Sequence, residues 1–281
     1  MRQSVLLSGT LVLALVSTAC NDAVDPISPA PGISASHTAG IGDRLYPDLQ
    51  TLTPDNFSIS TVKVRGKREE RLLFDNEVMN LHTGPLELTP TGEKCTTGKG
   101  GGGHIALQRI YRDSNGDGGF IRGVDTAYDE RPAGCMTFHK QHHHWHFDDF
   151  SLFQLKSGDT VIGQTSTKMT FCVADVYRRA SLMSTTDASF SPTARYYRLC
   201  DRNAVQGLSV GWGDLYGNGT PGQYLVITGV PDGTYCFVST ADPFLTLSET
   251  DDDNNVASRA ITLTTGGDGR RQVSVGAASC D

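Results

Sequence analysis

Large and small side chains alternate through Phe57-Ser58-Ile59-Ser60, and Thr61-Val62 extends the run with β-branched residues. A strand turns successive side chains to opposite faces, so this pattern describes a β-strand with one face on a core. Similar short runs follow at Arg71-Leu72-Leu73-Phe74, Leu86-Glu87-Leu88, Ser151 to Leu155, Thr170 to Val173, Gln223 to Ile227, Tyr235 to Val238 and Ala260 to Thr264. Gly, Pro, Asp or Asn bounds most of them. Helix signals are sparse, with one short candidate at Arg178 to Met183. The expected fold is all-β, an antiparallel β-sandwich with long loops, few short helices and disulfide staples. Thr91 to His104 and Ser181 to Arg195 read as surface loops.

The chain has 281 residues and a formal net charge of -7, which argues against general nucleic-acid binding and favours cationic partners such as metals and amines. Arg2, the apolar run Val5 to Val16 and Ser17-Thr18-Ala19-Cys20 predict an export signal over residues 1–20, of the lipoprotein type with Cys20 acylated. Residues 21–44, with Pro26, Pro29 and Pro31, read as a flexible tether, and 45–281 as one domain. The expected location is the bacterial cell envelope, with Cys20 the only membrane attachment, or the exterior if the chain is simply secreted. Six further cysteines, Cys95, Cys135, Cys172, Cys200, Cys236 and Cys280, suit three disulfides in an oxidising compartment.

Five of the eight histidines fall within His139-Lys140-Gln141-His142-His143-His144-Trp145-His146. On a strand, His142, His144 and His146 project from one face and make a facial metal site with open positions. His143, Trp145 and Phe147 then face the other side, leaving His139 and His143 outside the metal's ligand set. Copper and zinc both suit imidazole. Asp148 and Asp149 are at hand as the carboxylate base a zinc hydrolase needs.

Beyond these residues, the chain after about residue 45 resembles the lysyl oxidase family. The histidine stretch ending in an acidic pair and Phe150 is similar to that family's copper motif. Lys168-Met169-Thr170-Phe171-Cys172 is similar to its Lys-x-Ser/Thr-Phe-Cys segment. Gln206-Gly207-Leu208-Ser209, continuing to Asp214-Leu215-Tyr216, and Glu249 to Asn255 resemble two more of its motifs. The resemblance implies copper on His142, His144 and His146. It also implies a lysine tyrosylquinone built from Lys168 and Tyr216. Primary amines, either lysyl side chains or small amines, would be oxidised by dioxygen to aldehydes, releasing hydrogen peroxide and ammonia. Asp148, Asp149 and Asp214 are candidate bases. Cys172–Cys200 is the pair the resemblance implies; the other four cysteines can pair in three ways, of which Cys95–Cys135 with Cys236–Cys280 is the set expected.

Glu249, Asp251, Asn254 and Asn255 offer hard oxygen ligands that suit calcium, and the resemblance adds Asp48 and the carbonyl of Leu49. Asp113-Ser114-Asn115-Gly116-Asp117-Gly118 is similar to the first half of an EF-hand loop, but Val124 stands at the twelfth position and an ordinary turn is the simpler reading. Leu152 stands where animal members of the family commonly have a histidine, and Trp212 where they have a cysteine. Two other functions compete with amine oxidation, a non-catalytic metal-binding surface lipoprotein and a zinc-dependent hydrolase. Neither needs both Lys168 and Tyr216.

Overall fold

The computed structural model describes residues 40, 42–95, 103–140, 143–163, 170–198 and 205–280. It is 52% strand and 3% helix, so the expected all-β class holds. The strands in chain order are β1 (Arg44–Leu45), β2 (Leu49–Thr51), β3 (Asp55–Val64), β4 (Lys67–Asn80), β5 (Leu86–Lys94), β6 (Gly103–Arg112), β7 (Tyr128–His139), β8 (His144–Asp148) and β9 (Ser151–Ser157). They continue as β10 (Thr160–Val161), β11 (Thr170–Phe171), β12 (Tyr177–Arg178), β13 (Gln206–Leu208), β14 (Trp212–Tyr216), β15 (Tyr224–Val226), β16 (Gly233–Ala241), β17 (Val256–Thr265) and β18 (Arg271–Val275). Between β12 and β13 lie a 3₁₀ turn, Ala180–Leu182, and a one-turn helix, Thr185–Ala188.

Three antiparallel sheets form. The first runs β11-β8-β7-β6-β5-β13, with β1 added to β6, and the second runs β10-β9-β16-β17-β18. The third is built on the long strand β4, in the order β12-β14-β4-β15, with β2 and β3 also pairing with β4. Their inner faces share one core. Phe147 comes from the first sheet, Phe153 and Phe237 from the second, and Phe74 and Leu225 from the third. Phe74 is the centre of the aromatic packing, 4.4 Å from the Phe237 ring and 4.8 Å from the Phe153 ring. Alternation along β9 is regular: Ser151, Phe153 and Leu155 are buried, and Leu152 and Gln154 are half-buried.

All eight strand runs read from the sequence fall in or overlap strands. The loop assigned to Thr91–His104 is shorter than expected, because β5 continues to Lys94 and β6 starts at Gly103. Strand β7 escapes a pattern reading because it contains Pro132, Gly134 and three charged residues. A register shift opposite Ile105 and Leu107 absorbs them, with Gly134 at φ 85°, where a side chain would be strained. Two expected disulfides are present, Cys95–Cys135 and Cys236–Cys280. Cys172 is also disulfide-bonded, while Cys200 lies outside the described residues, as does Cys20.

Replacing Phe237 by Ala would open a hole at the meeting point of two sheets. The expected loss is about 3–5 kcal/mol in the unfolding free energy from denaturant titration, at the level of a buried Phe→Ala change.

Candidate functional site

Strands β7 and β8 pair through His139↔His144, Phe138↔Trp145 and Thr137↔His146. Period two places His144, His146 and Asp148 on one face of β8. The Nε2 atoms of His144 and His146 are 3.0 Å apart. Strand β8 starts only at His144, however. His143 sits in the turn at φ 59°, its amide donating to the His139 carbonyl at 2.9 Å. His142, the third expected ligand, lies outside the described residues. Trp145 is half-buried at the core's edge, against His104 and Phe138, while Phe147 is fully buried.

His139, set aside in the sequence reading, belongs to this group. It stands opposite His144, and its ring stacks on His146 with centroids 5.0 Å apart and planes at 15°. The signal was available: His139 and His144 flank a tight turn, and residues that close a hairpin face each other.

The next link is β11, where Thr170 pairs with Asp148 and Phe171 with Phe147. Thr170 Oγ1 is 3.3 Å from His146 Nδ1. Two residues on, the Cys172 amide donates to the Tyr216 hydroxyl at 3.0 Å, and that hydroxyl donates to the Cys172 carbonyl, also at 3.0 Å. Phe171 meets the Tyr216 ring edge-on at 4.5 Å. Burial, then the Asp214 charge, pushes the Tyr216 phenol well above the usual tyrosine range. Asp214 is buried on the same face of β14. Asp148 is buried and accepts from Thr137 Oγ1 at 2.8 Å, whereas Asp149 is half-buried in a turn at φ 59°. Asp214 is thus the candidate carboxylate whose charge acts on Tyr216. Lys168, two residues ahead of Thr170 in sequence, lies outside the described residues.

Gln206 fixes this arrangement from behind. Fully buried, it donates from Nε2 to the Trp145 carbonyl at 2.6 Å and accepts from the Val173 amide at Oε1 at 3.1 Å. One side chain thereby spans the histidine strand and the segment that holds Tyr216.

A second polar group joins the start of the domain to its end. Asn254 Nδ2 donates to Asp48 at 3.0 Å, Asn255 Nδ2 to Glu249 at 3.1 Å, and the Leu49 amide to Glu249 at 2.6 Å. Asp251 stays outside this group: it is exposed and caps its own turn, accepting from the Asp253 amide at 2.9 Å. Asp252 replaces it, with one buried oxygen. Among the described residues, Asp252 Oδ1, Asn254 Oδ1 and Asn255 Oδ1 are buried without hydrogen-bond partners. Burial, then the charge of Asp242, pushes the Glu249 carboxyl well above the usual range. An apolar pocket of about 490 Å³ near Phe120, Phe190 and Tyr196 contains none of the expected site residues.

The family model for lysyl oxidase matches residues 123–268, a span that includes the histidine hairpin, Tyr216 and the acidic turn. The chain belongs to the lysyl oxidase family. No curated protein matches it. Among the described residues of this family member, no three His, Cys, Asp or Glu side chains form a metal-holding group by themselves.

The raised Glu249 carboxyl gives a pH dependence of definite sign. Its folded value lies above the ordinary 4.5, so the folded state binds more protons than the unfolded state between the two values. In chelator-treated protein this contribution is complete below the unfolded value and is lost as pH rises through the folded one. The urea midpoint of Glu249→Gln should therefore gain on wild type as pH rises from acid to neutral. A pH-independent difference between the two would contradict the assignment.

Proposed function

We propose that this chain is a copper-dependent amine oxidase that makes a quinone cofactor from Lys168 and Tyr216 and oxidises primary amines outside the cytoplasm. The observation that carries the proposal is the continuous path from His146 through Thr170 to Cys172, whose backbone grips a half-buried Tyr216 from both sides. A redox metal and the ring it would oxidise must be close, and this path is the support for that reading.

The residues fit the metal. The His144 and His146 Nε2 atoms, 3.0 Å apart, would both be able to hold one ion that imidazole suits. Were Nε2 to hold copper, His146 Nδ1 would carry the proton and donate to Thr170 Oγ1, a hydrogen bond that would orient the ring. His142 would complete the set. When present, the quinone supplies an electron sink for converting a primary amine to an aldehyde, and dioxygen takes up the electrons as hydrogen peroxide. The protein's part is positional. Gln206 and Thr170 orient the histidine strand, Cys172 orients the Tyr216 ring, and Asp214 is placed to accept a proton beside it. Substrates would be small amines or lysyl side chains of envelope proteins, met by a chain exported and anchored through Cys20.

Calcium fits the second group. Three buried oxygens without partners, together with the Glu249 and Asp48 carboxylates, suit a hard cation that would clip β2 to the turn before β17. Adding calcium after chelation should raise the melting temperature, and an unchanged melting curve would count against the clip.

Intact mass and peptide mapping of copper-loaded, air-exposed protein test the main reading. The peptides bearing Lys168 and Tyr216 should run as one cross-linked species. Tyr216→Phe should keep copper and lose amine oxidation. Separate, unmodified peptides would favour a non-catalytic metal-binding protein, and hydrolysis supported by zinc alone would favour a hydrolase.

A further inference from the structure

Gln223 has no exposed surface, and among the described residues neither its Nε2 nor its Oε1 has a hydrogen-bond partner. Burying an amide strips its water, and leaving both ends unbonded is among the costlier states of a folded chain. Most buried side-chain amides are satisfied, so one that is not calls for a cause.

Strand register shows what Gln223 faces. Along β15, Leu225 pairs with Leu72 and Tyr224 with Leu73, and Tyr216 of β14 pairs with Asn76 of the same strand β4. Gln223, Leu225 and Ile227 are buried at a period of two, so all three point into the core. Leu72, Phe74 and Asn76 share that face of β4. Continuing the register puts Gln223 level with Phe74, about 7 Å along the strand from Tyr216, at two residues' rise. Tyr216 packs against the same core. Asn76 Oδ1 is already engaged by Ser239 Oγ at 2.7 Å. The connecting turn is built rather than loose, since Asn218 binds Asp75 through its amide at 2.6 Å and the Asn56 carbonyl through Nδ2 at 2.8 Å.

The phenol of Tyr216 has a single oxygen, and Cys172 occupies it on both sides. The ring carbon beside it carries only hydrogen and offers an amide nothing. We infer that Gln223 is a positioning residue for the oxidised Tyr216 ring, its Nε2–H donating to the second ring oxygen that oxidation adds. This rests on the reading of Tyr216 as a cofactor precursor. The phenol and dioxygen give the ortho-quinone and water, one oxygen atom entering the ring and the other leaving as water. The new carbonyl oxygen is a pure acceptor. The amide nitrogen is unpaired in the precursor because its acceptor does not yet exist there.

Gln223→Met, with Gln223→Leu as a second variant, removes the amide while keeping most of the volume. Two readouts separate cofactor positioning from packing: the melting temperature of metal-free protein, and the visible band formed with phenylhydrazine after copper loading in air. Removing an unsatisfied buried amide should leave the melting temperature unchanged or raise it. The phenylhydrazine-reactive chromophore should fall about tenfold, the factor associated with one ordinary hydrogen bond, or its band should shift. A wild-type yield and band in both variants would overturn the inference alone. So would a melting temperature lowered in step with the chromophore, which would mark Gln223 as a scaffold residue held by buried water. A wild-type protein that forms no chromophore at all would overturn the cofactor reading itself, and this inference with it.

Discussion

One peptide unit holds one phenol from both sides. The Cys172 amide donates to the Tyr216 oxygen, and the Cys172 carbonyl accepts its proton. Tyr216 belongs to the third sheet, and Cys172 follows the edge strand of the first, so the pair joins two sheets. The arrangement requires a neutral phenol, because an ionised one would turn an oxyanion toward the Cys172 carbonyl. Burial and the Asp214 charge both favour the neutral form, so the electrostatics keep the proton that the geometry uses.

Where side chains alternate, as in Phe57 to Val62 or Ser151 to Leu155, burial on one face was legible because the period of a strand is a local property. Strands β6 and β7 were not legible, since a bulge at Gly134 and tertiary pairing override the local signal there. The histidine group was half legible. Alternation identified His144 and His146, but it could not show that the chain reverses just before His144, which brings His139 onto His146. The link from Thr170 through Cys172 to Tyr216 depends on the packing of two sheets, which no local pattern reveals. Asp251 and Asp252 are neighbours in sequence, and only the shape of their turn decides which one points inward.

A buried and a half-buried glutamate show what compensation looks like. Glu87 is surrounded by Tyr197 at 2.6 Å, Tyr111 at 2.8 Å, Arg109 at 3.1 Å and Arg122 at 3.5 Å. Its charge is balanced within the fold. Glu249 meets a backbone amide and Asn255, and its charged neighbours Asp242 and Asp252 repel it. A carboxylate group assembled in that way is stable either protonated or with a cation among its oxygens. The oxygens without partners at Asp252, Asn254 and Asn255 favour the cation.

The same comparison applies to the glutamines. Gln206 and Gln223 are almost equally buried, within one family member and one core. Gln206 has both ends bonded to backbone, on two different segments, as a scaffold residue should. Gln223 has neither end bonded, yet an apolar residue of its size would fit the core face it occupies between Leu225 and the Tyr216 turn. Packing alone favours the apolar residue there, since it removes two unmet hydrogen bonds and keeps the contacts. A polar group retained against that preference belongs to a state of the protein with a different set of acceptors, and Tyr216, two residues' rise away along β4, is the ring proposed to acquire one.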